Sequence, residues 1–156
     1  MRIWRDQRGQ SMVLFAVALP VLIAVAALAL DVGRAQLVQA QQAAALDAAS
    51  SAGAEAVQPG TDGSGTPYLT LDAAQAQQLA QELYDANVQA ADHGGQAWTP
   101  GTLSTQVTQG PQGCTVQTSA TAMVPTYLAP AVGLAGSIGV PGTSTAHPHS
   151  LGVPCQ

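Results

Sequence analysis

From Met12 to Leu30 the chain runs nineteen residues without a formal charge, and beyond that point the pattern breaks into shorter periodic stretches. A helix of that length rises roughly 28 Å, close to the hydrocarbon thickness of a bilayer, so the pattern predicts a transmembrane helix over 12–30. Pro20 lies inside the run, where a membrane helix tolerates it better than a soluble one. From Arg34 to Ala56 nearly every residue is Ala, Gln, Leu, Asp or Ser, and the first glycine after Arg34 is Gly53. That composition has high helix propensity, so the helix is predicted to continue beyond the bilayer over 31–57. Along it Ala40, Ala44, Ala48, Ala52 and Ala56 recur every fourth residue, beside a second row of Ala45, Ala49 and Gly53. Such rows form a ridge of small side chains on which another helix can pack with its backbone close. The partner is either the chain's own domain or the helix of a neighbouring subunit, as a homo- or hetero-oligomer.

After the helix, Gln58 to Pro67 has the Gly, Pro, Ser and Asp content of a loop. Asp72, with Gln75 three residues on, is placed to cap a second helix whose apolar stripe is Ala76, Leu79, Ala80, Leu83, Val88 and Ala91, with Asn87 its polar member, up to Gly94-Gly95. The period then changes to two. Leu103, Thr105 and Val107 alternate with polar residues, Gly110 to Gly113 reads as a turn of about four residues, and Val116, Thr118, Ala120, Ala122 and Val124 alternate again. A short segment around Tyr127 to Val132, interrupted by Pro130, precedes a brief third strand over Ile138–Val140. The expected fold is α+β: a long N-terminal helix, half transmembrane and half Ala/Gln-rich, a second helix, and a small antiparallel sheet of two or three strands. The chain divides into a basic N-terminus (1–11), the span (12–30), the helical extension (31–57), a small α+β domain (68–140) and an extended or mobile Gly/Pro/Thr-rich tail (141–156).

Charge sets the orientation. Four basic residues occur in the chain, all arginine, and Arg2, Arg5 and Arg8 precede the apolar run that Asp31 closes. The positive-inside rule then leaves the N-terminus in the cytoplasm and sends the rest across the membrane. Only Arg34 is basic beyond the run, so nucleic acid is excluded as a partner, because phosphate binding needs clustered cations. The rival to an anchor is a cleaved signal peptide, with Ala27-Leu28-Ala29 as its small-residue site; the length of the run favours the anchor. Cys114 and Cys155 both fall on the exported side, where an oxidising compartment permits a disulfide; the other reading is two free thiols.

No set of residues asks for catalysis or a cofactor. His147 and His149 flank a proline in the tail and His93 stands at a helix end, short of the three or four ligands a zinc site needs. Glu82 and Asp85 are three apart on the second helix, the pattern of a solvated face. There is no GxSxG elbow, phosphate loop or dinucleotide fingerprint. The expectation is a non-enzyme without cofactor or metal.

From Arg8 to Ala54 the chain resembles the N-terminal region of TadE/TadG-like proteins of the bacterial tight adherence (Flp) pilus assembly system. The likeness lies in the Arg-Gly-Gln start, Val13-Leu14-Phe15, the Leu19-Pro20 step, the Asp31-Val32-Gly33-Arg34 exit and the alanine-rich continuation to Ser51-Ala52-Gly53-Ala54. A weaker likeness covers Met123 to Val140. Pseudopilin members of the group are cut after a glycine and carry a glutamate at the fifth mature position; here those positions are Gly9 and Leu14. Lacking the glutamate, the chain is closer to the TadG-type branch. Longer TadG-type proteins carry a metal-binding Asp-x-Ser-x-Ser signature. Asp62-Gly63-Ser64-Gly65-Thr66 approaches it, but no apolar strand precedes it and ninety residues follow, so it reads as a loop.

The resemblance implies a single-pass protein of the bacterial cytoplasmic membrane, with its C-terminal domain outside, contacting other pilus or secretion apparatus proteins. The alternatives are an exported binding module released by signal peptidase and a minor pseudopilin processed after Gly9.

Overall fold

The structure, a computed structural model, describes residues 7–92, 98–111, 113–127, 130, 133, 135–148 and 154–155, with the side chains of 7–10 and 92 left out. Arg2, Arg5, His93, Gly94-Gly95 and His149 lie outside the described residues, as does the side chain of Arg8.

Helix α1, Gln7–Ala54, is one unbroken helix of 48 residues that runs through Pro20. Its end falls a little short of the 57 expected, because Glu55 N–H and Ala56 N–H bond to the carbonyls of Ala52 and Gly53, three residues back, and tighten the last turn. Beyond it the chain forms a head of two antiparallel sheets and one further helix.

The Gln58–Pro67 segment is not a loop. Strand β1, Val57–Thr61, pairs with β2, Pro67–Leu71, from Val57↔Leu71 to Thr61↔Pro67, leaving only 62–66 as the turn. Two features let so poor a strand sequence pair. Leu69 N–H points away from Pro59, to Pro154 O at 2.9 Å, so Pro59 sits at a position where its missing N–H costs nothing. Gly60 lies against the Tyr68 ring, where an added Cβ would stand 2.7 Å from Cζ.

Helix α2, Ala73–Asp92, starts where Asp72 predicts: its Oδ1 accepts from Ala74 N–H at 2.9 Å and Gln75 N–H at 3.1 Å. Its buried stripe is Ala76, Ala80 and Tyr84, continued by half-buried Val88. Leu83, assigned to that stripe by spacing, is exposed. The fourth-residue step from Ala80 reaches Tyr84 instead, whose hydroxyl donates to Gly101 O at 3.3 Å and so satisfies its polar tip.

Strands β3 (Ser104–Gly110), β4 (Gly113–Pro125) and β5 (Ser137–Ala146) form the second sheet in the order β3-β4-β5. The ladder runs up to Gly110↔Gly113, so the turn is shorter than four residues, and Gly113 takes φ 122°, open to glycine. The third strand is ten residues long, not three, and takes in Pro141–Ala146 of the expected tail. As an edge strand β5 accommodates Pro141, and β4 supplies a partner for every residue from Ser137 to Ala146.

The C-terminal half of α1 packs against both α2 and the β4–β5 sheet, antiparallel to β4. Leu46 O accepts from Thr118 Oγ1 at 3.1 Å, Gln42 Nε2 donates to Ala120 O at 2.6 Å, and Asp31 Oδ1 accepts from Tyr127 N–H at 3.3 Å. Along this seam lie three apolar groups: Val38, Trp98, Ala122, Val124 and Val140; then Ala45, Leu46, Ala49, Ala80, Tyr84 and Ala120; and, past the Leu46–Thr118 bond, Ala56, Leu71, Ala76, Cys114, Val116 and Cys155. Gly142 brings β5 against the helix, and a Cβ there would stand 2.7 Å from Leu46 Cδ1 and 3.3 Å from Gln42 Nε2. Gly142→Val is therefore expected to lower head stability by about 1–3 kcal/mol through overpacking. A thermal melt of the detergent-solubilised chain checks this, and an unchanged midpoint would show that the seam is loose.

Candidate functional site

The candidate site is a surface, α1 and the base of the head. From Ser11 to Ala26 every residue is exposed, among them Met12, Val13, Leu14, Phe15, Val17, Leu22, Ile23 and Val25. A contiguous apolar surface of this extent marks a place of contact with lipid or another protein. Among the described residues one helix is long and apolar enough to cross a membrane, and it is α1.

The helix changes character at Ala27. Ala27, Asp31 and Val38 are buried and Arg34 is half-buried, all on one face. Asp31, assigned from sequence as the polar end of the span, is only 5% exposed and takes the Tyr127 N–H. The Arg34 guanidinium lies 4.4 Å from the centroid of the Tyr127 ring, a cation–π contact. Tyr127 is thus gripped by two charged side chains one turn apart. No local signal points to this docking role, because Tyr127 is 96 residues from Asp31 in sequence.

The alanine ridge is divided. Ala40 and Ala44 are exposed and Ala48 and Ala52 half-buried, whereas the neighbouring row of Ala45, Ala49 and Gly53 is buried in the head. A Cβ on Gly53 would meet Val116 Cγ1 at 3.0 Å and Ala76 O at 3.1 Å, so this row carries the intramolecular contact. Next to it Ser144 Oγ donates to Asp47 Oδ1 at 2.6 Å and lies 3.0 Å from Ser50 Oγ, a polar clasp between α1 and β5.

Cys114 and Cys155 are joined by a disulfide, with their Cα atoms 5.2 Å apart. Cys155 N–H donates to Gly110 O at 3.0 Å, so the end of the chain stitches β2 to the larger sheet. The remaining candidates stay apart. Asp62 Oδ1 accepts from Ser64 N–H and Thr66 N–H, both at 2.8 Å, and from Ser64 Oγ at 2.6 Å, closing its own hairpin turn. Asp85 is exposed and accepts from Gln81 Nε2 at 2.9 Å, and Glu82 and His147 are exposed. Among the described residues no three His, Cys, Asp or Glu side chains are grouped as metal ligands.

Residues 9–56 match the family model Tad, described as "Putative Flp pilus-assembly TadE/G-like". The matched stretch covers about a third of the chain. It coincides with almost all of α1 and takes in both the exposed apolar half and the face buried by the head. No curated protein and no solved structure matches the chain.

The turn that follows the matched stretch gives a pH prediction. Hydrogen bonds from Ser64, first its hydroxyl, and then from Thr66 hold the Asp62 carboxyl below its ordinary value of 3.8. A depressed pKa contributes stability above the ordinary value and loses it as pH falls through the lowered one. The Ser64 and Thr66 amide resonances are expected to titrate below pH 3.8, and Asp62→Asn should abolish the transition. A midpoint at or above the ordinary value would contradict the turn.

Proposed function

We propose that the chain is a non-enzymatic, single-pass protein of the bacterial cytoplasmic membrane that serves Flp/tight-adherence pilus assembly or a related secretion apparatus. Its N-terminus stays in the cytoplasm, its head lies outside, and it acts through helix–helix and envelope protein contacts. The observation that carries this reading is the Tad match over residues 9–56, on a helix whose Ser11–Ala26 surface is exposed and apolar. The burial of Ala27 supports an anchor over a cleaved signal, since cutting after Ala29 would strip from the head a residue that it covers. Partner contacts fall to the exposed helix surface that the head leaves bare, around Ala40 and Ala44.

Val25→Lys places a charge inside the span, at a cost of up to about 3 kcal/mol on insertion scales. The variant is expected to wash out of carbonate-treated membranes while the parent chain stays; equal retention would overturn the anchor. Ala40→Leu combined with Ala44→Leu alters only exposed positions, so it should change head stability by no more than about 0.5 kcal/mol. Crosslinking to apparatus proteins from a photoreactive residue at Leu37 should nonetheless fall, and unaltered crosslinking would count against that face.

A further inference from the structure

We propose that the base of the head, at Tyr127 and Ile138, is seated in the interfacial layer of the bilayer, so that the head rests on lipid instead of standing clear of it on a free stalk. The inference rests on the membrane-spanning reading of α1 and adds where the head lies relative to the lipid.

The decisive observation is Ala27. It lies inside the apolar run, four residues before Asp31, yet it is only 6% exposed while every residue from Ser11 to Ala26 is exposed. The head therefore covers α1 about 6 Å further into the run than its charged end. If the head remained wholly in water, the span would be confined to Met12–Ala26. Those fifteen residues extend roughly 22 Å, short of a hydrocarbon core of about 30 Å. Extending the span toward the N-terminus brings in Ser11, Gln10 and Arg8, which are costly in hydrocarbon. Keeping Ala27 to Leu30 at lipid depth satisfies the span, and it carries the base of the head down to the same level.

The side chains at that level suit the place. Val124↔Ile138 and Pro125↔Ser137 are the last pairs of the β4–β5 ladder on the side of Tyr127, so Ile138 belongs to the base. Tyr127 is 57% exposed and Ile138 42% exposed, and Val32 on the adjoining turn of α1 is exposed as well. A tyrosine ring is amphipathic and gathers at the boundary between acyl chains and headgroups. Arg34, beside that ring, is the chain's one cation past the apolar run, at the height of lipid phosphates. The Asp31 carboxylate, the group least suited to this layer, is turned into the protein and bonded to Tyr127 N–H.

The full chain is reconstituted in phosphatidylcholine/phosphatidylglycerol vesicles with a nitroxide attached at Tyr127→Cys or, separately, at Ile138→Cys. The native cysteines are paired and leave the label to the new thiol. Thr108→Cys, exposed at the opposite end of the sheet, is the aqueous reference. Both basal labels are expected to collide with a water-soluble nickel chelate roughly threefold less than the reference and with oxygen more, the pattern of lipid depth. Chelate access equal to the reference, in vesicles that keep the chain through a carbonate wash, would overturn the seat while leaving the span intact. Low access to both quenchers would also overturn it, because that pattern means burial in protein. Loss of the chain from washed vesicles would remove the span, and the seat with it.

Discussion

One helix has to satisfy two surroundings, and the rest of the structure follows from how α1 does so. Its first half exposes apolar side chains on all sides, while its second half buries a single strip against α2 and the β4–β5 sheet. A long helix outside lipid owes its stability to tertiary packing of that kind more than to propensity. The strip consists mostly of small residues, Ala45, Ala49, Ser50 and Gly53, with Val38, Gln42 and Leu46 as its larger members. Small side chains let the helix backbone approach its neighbours closely, so the helix contributes many short dispersion contacts, and Tyr84 and Trp98 are the large groups that face it.

Packing so uniform does not by itself say how far the helix should slide along the sheet. Polar contacts supply that information. Gln42 reaches Ala120 O, Thr118 reaches Leu46 O, and the Asp47, Ser50 and Ser144 side chains clasp β5. Sliding α1 by one residue would strip the buried Gln42 and Thr118 groups of their partners, each at a cost of about 1–3 kcal/mol, and would break the more exposed Asp47–Ser144 contact as well. The same fixed register brings Asp31 and Arg34 to Tyr127, at the level where the helix passes from its exposed half to its packed half.

The head is small for an independent fold and its core is mostly aliphatic, conditions under which covalent closure counts. The Cys114–Cys155 bond closes a separation of 41 residues, a constraint on the unfolded chain of about 4 kcal/mol in the loop-entropy account. It also holds Pro154 and Cys155 against β2 and β3, where backbone bonds to Leu69 and Gly110 join the two sheets.

Periodicity in the sequence determined the elements that rest on local chemistry. Nineteen uncharged residues made a helix, the alanine-rich continuation prolonged it, Asp72 capped α2, and the alternation around Gly110 and Gly113 made the β3–β4 hairpin. Helix propensity, side-chain capping and period-two burial all act over a few residues, so they can be read without the fold. Tertiary structure alone decided the rest. Gln58–Pro67 and Pro141–Ala146 look like loop by composition and are strands because partners lie alongside them. Tyr84 displaces Leu83 because Gly101 O waits for its hydroxyl. Asp31 is a clasp because a backbone N–H 96 residues away is delivered to it. In each case the deciding group is distant along the chain, and hydrogen bonding and close packing depend on proximity in space, which local composition does not encode.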